Sequence, residues 1–129
     1  LFEVGAEAQL TELLQALRGK RVDRREAIAL AEHALFEGLL FKHRHFTTFV
    51  SGLGRRSAWP QALGMFREMQ HQELVPNTIV YNAAIDACRR GHAWRKAVVL
   101  LEEMDRRSAK PDIVSYSTTV VACEKASEW

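Results

Sequence analysis

"YNAAIDACRRGHAW" occupies residues 81–94, and "YSTTVVACEKASEW" occupies residues 116–129. Tyr, the Ala-Cys pair and Trp fall at the same places in both stretches, 35 residues apart. A fixed period of this length points to a repeat architecture and governs the reading of every segment between. Shifting the whole chain by the same interval aligns Trp59, Trp94 and Trp129. It also aligns Ala62 with Ala97, Phe66 with Leu101, Met69 with Met104, Pro76 with Pro111 and Cys88 with Cys123. One step further back from Ala62 reaches Ala27, inside "REAIALAEHALF". The chain therefore divides into 1–42, a degenerate repeat or helical cap whose pattern spans 8–42; two full units, 43–77 and 78–112; and 113–129, half a unit.

Each unit reads as two helices. Tyr81, Ala84, Ile85 and Cys88 follow i, i+3, i+4, i+7, one face of a first helix. "RRGH" ends it, with Gly91 expected to take the left-handed conformation of a helix C-terminus. Ala97, Leu101 and Met104, beside Val98 and Leu100, form the stripe of a second helix that Pro111 closes. Pro60 suits the start of a second helix, where its missing N–H costs nothing. Asp23 and Glu26 have capping-box spacing. Alanine at 27, 62 and 97 lets paired helices approach closely, and the tryptophans open second helices, where packing between units suits them. No segment alternates like a strand. An all-α solenoid of antiparallel helical hairpins follows, each burying its apolar face against its neighbours.

Bulk properties narrow the function. The chain has 129 residues, 47% of them hydrophobic, and a net charge of +2. That is enough apolar material for a core, and too little charge to announce nucleic acid by itself. Two cysteines make no disulfide framework and suit reduced, buried thiols. Cys88 and His92 have helical metal-ligand spacing, but no second pair converges on them, so no cofactor or metal is expected. No apolar run approaches the roughly 20 residues that span a bilayer, so no membrane role is expected. The chain starts without Met and stops at Trp129 partway through a unit, so it is expected to be part of a longer protein, with any targeting peptide absent or removed.

The unit "TIVYNAAIDACRRGHAWRKAVVLLEEMDRRSAKPD", residues 78–112, resembles a pentatricopeptide repeat: Tyr-Asn early, Ala near the middle, Glu-Met late and Pro-Asp at the end. "ELVPN", residues 73–77, closes the preceding unit in a similar way. The resemblance covers 43–129 and is weak over 8–42. It implies a right-handed superhelical solenoid that binds single-stranded RNA, one base per repeat, in a mitochondrion or chloroplast. In that family the fifth and last residues of a repeat read the base. The second unit then supplies Thr47 and Asn77, resembling an adenine reader. The third supplies Asn82 and Asp112, resembling a uracil reader, and the fourth offers Ser117, which suggests a purine. The first unit would supply Glu12 and Lys42, no standard pair, and is expected to pack or cap. The second residue of each repeat forms a stacking wall: Ile79 and Val114 suit it, and Arg44 departs from the usual aliphatic residue.

The chemistry agrees with this assignment. Uracil presents an N3–H donor where cytosine presents an acceptor; an ionised Asp only accepts, and an Asn amide does both. A Thr hydroxyl can donate to adenine N1, and a guanidinium such as that of Arg44 can stack on a base. Independently of any code, Lys20, Arg55, Arg90 and Lys125 lie one unit apart near the ends of first helices. A solenoid turns that spacing into a ladder of cations suited to consecutive phosphates, thickened by Arg21, Arg56 and Arg89. Acidic residues favour the second helices, as Glu102, Glu103 and Asp105 do.

Competing assignments stand beside these. Asn77 and Asp112 precede first helices and so suit N-caps, and a basic ladder can be a solvated face. The sequence has no phosphate-cradling glycine loop, no Ser-His-Asp spacing and no deaminase-type cysteine pair. No enzymatic activity and no small-molecule substrate are expected. The rival function is a scaffold for protein partners, gripping a peptide or helix in its groove.

Overall fold

The computed structural model describes residues 2–19, 21–40, 42–107 and 109–127. Among these, seven helices succeed one another and no strand occurs: α1 (Phe2–Arg18), α2 (Arg24–Phe36), α3 (His43–Arg55), α4 (Trp59–His71), α5 (Thr78–Arg90), α6 (Trp94–Arg106) and α7 (Ile113–Ser127). Helix starts at His43, Thr78 and Ile113, and again at Arg24, Trp59 and Trp94, keep the 35-residue interval. The first helix breaks it. α1 is 17 residues long, where α3 and α5 have 13. Lys20 and Trp129, both singled out above, lie outside the described residues.

Contacts run from each helix to its neighbours in the array. α3 packs on α4 and α5, and α5 packs on α4, α6 and α7. The first helices α3, α5 and α7 thus stand side by side as one layer, and each second helix sits in the notch between two of them. This is a helical-repeat solenoid. The predicted face Tyr81, Ala84, Ile85 and Cys88 is wholly buried, and so are its counterparts Phe46, Phe49, Val50 and Leu53 on α3. Ala27, Ala62 and Ala97 are all fully buried. On α6 it is Leu100, rather than Leu101, that joins Ala97 and Met104 in the core. Phe66 of α4 meets Tyr81 of α5 edge to face at 5.0 Å, a favoured geometry between ring quadrupoles.

Helix entrances follow the predicted signals. Asp23 caps α2 by accepting from the Glu26 N–H at 2.9 Å, and Pro60 falls in the first turn of α4. The exits require a correction. Gly91 has an ordinary φ of −91°, and the left-handed residue is His92 at 60°. Ser57, one unit earlier, does the same at 59°. In both turns a 6→1 bond closes the helix, Ala93 N to Cys88 O at 2.8 Å and Ala58 N to Leu53 O at 2.9 Å, the Schellman arrangement. Gly91 answers a packing need instead. A Cβ there would lie 2.0 Å from Cδ1 of Trp59, so the indole of one hairpin presses on the turn of the next. Gly54 likewise brings α3 onto α5, where a Cβ would stand 2.8 Å from that of Ala87.

Candidate nucleic-acid interface

The second and fifth residues of each first helix are three apart and so share a face. α3 presents Arg44 and Thr47 there, α5 presents Ile79 and Asn82, and α7 presents Val114 and Ser117. Ile79 is 67% exposed and Val114 51%, which leaves apolar side chains open on a face suited to receive something flat. Arg44 and Ser117 are exposed, while Thr47 and Asn82 are half-buried. At the head of this row stand the residues that begin the helices: Lys42 and Asn77 are the N-caps of α3 and α5, and Asp112 takes that place before α7.

In the third unit the predicted pair meets. The Asn82 amide donates from Nδ2 to Asp112 Oδ1 at 3.1 Å, across 30 residues of sequence. The same carboxylate oxygen accepts from the Ser115 N–H at 3.0 Å and lies 3.0 Å from the Ser115 hydroxyl. Ser115 Oγ accepts in turn from the Asp112 N–H at 3.1 Å and also faces Asn82 Oδ1. Asp112 is therefore a helix cap and a partner of Asn82 at once. Its backbone bond from Ser115, followed by the Asn82 amide, holds its carboxyl below the usual range. It is ionised at neutral pH and can only accept. The side-chain and Ser115 N–H bonds to the carboxylate end on Oδ1, the Val114 N–H also favours its ionised form, and Oδ2 keeps lone pairs to spare.

The second unit is organised differently. Thr47 donates its hydroxyl to His43 O, one turn back, at 2.9 Å. Asn77 accepts from the Val80 N–H at 3.0 Å, a plain N-cap bond. No hydrogen bond among the described residues joins Thr47 to Asn77. The expected donation from Thr47 to a base would require its hydroxyl to leave the helix. The first unit's Glu12 is exposed on α1, and the Lys42 N–H donates to His45 Nδ1 at 3.3 Å.

The cationic row is uneven. Arg55 and Lys125 are exposed in the last turns of α3 and α7. Arg90 instead donates from Nε to Asp86 Oδ2 at 2.9 Å, and Arg89 grips Oδ1 of the same carboxylate at 2.7 Å. Burial alone would raise the Asp86 pKa; the bonds from Arg90 and Arg89 outweigh it and lower it. Arg56 does not thicken the row. It turns inward and donates to the carbonyls of Leu17 (2.6 Å), Gly52 and Val22 (2.8 Å each) and Gly19 (3.0 Å). Those acceptors include the carbonyls left unpaired at the end of α1. Arg21 is exposed.

Two recurrent contacts escape sequence reading. The first residue of each full unit reaches a carbonyl near that unit's end: His43 Nε2 bonds Val75 O at 2.7 Å, and Thr78 donates to Lys110 O at 2.9 Å. Unlike residues do the same work, so no motif could reveal them. Trp59 lies against Gly91, and Trp94 lines a cleft with Cys123 and Ala126 of α7; both serve contacts between units. Burial pushes the Cys88 thiol up to about 12 despite Lys96, so it is a packed core group. Among the described residues no three His, Cys, Asp or Glu side chains converge as metal ligands. No described helix is long and apolar enough to cross a membrane.

Comparison with known families agrees with this architecture. A family model described as "PPR repeat" matches residues 44–74, and one described as "PPR repeat family" matches residues 76–125. No curated protein matches the chain.

Proposed function

The chain belongs to the pentatricopeptide repeat family, whose helical hairpins are a non-enzymatic scaffold generally associated with RNA binding, and we propose that it binds single-stranded RNA with one base per full repeat. Thr47 with Asn77 takes adenine. Asn82 with Asp112 takes uracil, one nucleotide further 3′, and Ser117 contributes to a purine position. Bases stack between Arg44, Ile79 and Val114, and phosphates meet Arg55, Lys125 and, once it leaves Asp86, Arg90. Lys20 would extend that row at the first unit. We place the protein in a mitochondrion or chloroplast, in RNA processing, stability or translation, a reading that organelle fractionation tests.

The observation that carries the proposal is the meeting of Asn82 and Asp112 beside the exposed Ile79 and Val114. The bond between them uses one amide N–H of Asn82 and Oδ1 of Asp112, which leaves a second N–H and Oδ2 for a base. Uracil's edge is the complement, a carbonyl oxygen beside an N3–H.

Fluorescence anisotropy with a labelled single-stranded RNA tests it across a salt series. Binding is expected to weaken steeply with salt. Arg55→Ala and Lys125→Ala should each lower the log–log slope by about 0.7. Arg90→Ala should lower it by less, since Asp86 already holds that charge. A protein-binding scaffold is the reading left standing if RNA fails to bind, or binds with a salt slope that none of these variants alters.

A further inference from the structure

We propose that Ser115, which belongs to the fourth unit, is the positioning residue that fixes the sense of the Asn82 amide and so sets the base preference of the third unit. The inference rests on the base-reading role given to Asn82 and Asp112. It adds a determinant from the following unit, three residues beyond the position that caps its helix.

The argument begins with bonding capacity. An ionised carboxylate has no hydrogen to give, so the Asn82 atom facing Asp112 Oδ1 must be the amide nitrogen. The opposite amide atom, Oδ1, then needs a donor, and the single Ser115 hydroxyl proton, which also has Asp112 Oδ1 in reach at 3.0 Å, lies closer to it. Ser115 is fully buried. It cannot turn to solvent, and its Oγ is held in place from behind by the Asp112 N–H. Asn82 is thus gripped at both ends, with one N–H and one lone pair left for a base. An amide fixed this way presents its donor beside the spare Asp112 oxygen, which suits uracil and opposes cytosine.

The preceding unit supplies a natural contrast. Val80 stands where Ser115 stands one unit later, and it too is fully buried, yet it has no hydroxyl. There the fifth residue bonds its own helix, through Thr47 and His43 O, and never meets Asn77. The presence of a hydroxyl at the third position coincides with a joined reading pair, and its absence with a separate one.

The test uses the whole chain labelled with ¹⁵N and short single-stranded RNAs that differ only in U or C at one position. Side-chain amide signals of Asn82 report the grip without RNA, and RNA titrations report preference. In the parent chain the two amide protons of Asn82 should be well separated and slow to exchange, with U bound more tightly than C. Ser115→Ala should bring the two protons together, speed their exchange and reduce the U preference about fivefold, as expected for loss of one hydrogen bond. Ser115→Thr keeps the hydroxyl and should restore both readouts. Should the Ala variant lose its fold, Ser115→Cys has similar shape and a far weaker donor, and gives the same comparison. Asn82 signals unchanged in Ser115→Ala would overturn the proposal; so would released signals with an intact U preference. A parent chain that shows no U preference would sink the base-reading assignment itself, while the Asn82 signals would still decide whether Ser115 holds the amide.

Discussion

The first and second hairpins are joined by a polar clasp beside the apolar seat of Leu17 on Gly52, and the second and third chiefly by apolar contacts. At the first junction a single side chain, Arg56 of the α3–α4 turn, donates to the carbonyls of Leu17, Gly19 and Val22. Burial and then the neighbouring Arg55 lower its pKa, but a guanidinium stays charged at neutral pH. At the second junction Phe66 meets Tyr81, Gly54 lies on Ala87, and Trp59 lies on Gly91. Among the described residues, Arg67 and Glu103, 3.1 Å apart, add the ion pair there. The difference follows from the regularity of the repeat. Where the period holds, side chains of like shape recur and interdigitate. Where α1 runs off register, Leu17 still packs on Gly52, and a long flexible cation supplements that contact.

The comparison can be broken at either side. Phe66→Ala should have the largest effect, a loss of about 3–5 kcal/mol for a buried aromatic. Urea unfolding should show it as a fall of the main transition, because α4, α5 and their neighbours share one core. Arg56→Met should cost less, roughly 1–3 kcal/mol for carbonyls left without a donor, and its effect should be local. Hydrogen exchange should show faster opening across 2–36 with protection in α3 to α7 retained. Protection lost evenly along the chain would mean that the two junctions unfold together and the contrast is only one of appearance.

Asp112→Asn should change stability least, by a few tenths of a kcal/mol, since Asn caps nearly as well as Asp. Its effect belongs to specificity. The carboxylate that forces the Asn82 nitrogen inward becomes an amide with donors of its own, and preference should move from uracil toward cytosine. Competition binding with U or C at that one position measures it. A variant that discriminates like its parent would reduce Asp112 to a cap.

The Asp112→Asn experiment also separates two kinds of information in this chain. The period was legible from Trp59, Trp94 and the two Ala-Cys pairs, and with it the hairpins, the buried alanines and the caps at Asp23 and Asn77. Each depends on residues within a turn or two of one another, where helical geometry converts spacing into a face. Tertiary structure decided the rest. Gly91 looked like a conformational breaker and proved to be the seat of Trp59, because the residue that crowds it is 32 positions away. Arg90 reads as a rung equivalent to Arg55, and Arg56 as a thickening of the same row; their partners, Asp86 and Leu17 O, set both apart from Arg55. The bond from Asn82 to Asp112, and Ser115 behind it, exist because α5 and α7 stand side by side. A sequence fixes which groups can donate and accept; only the packing of layers decides which of them come within 3 Å.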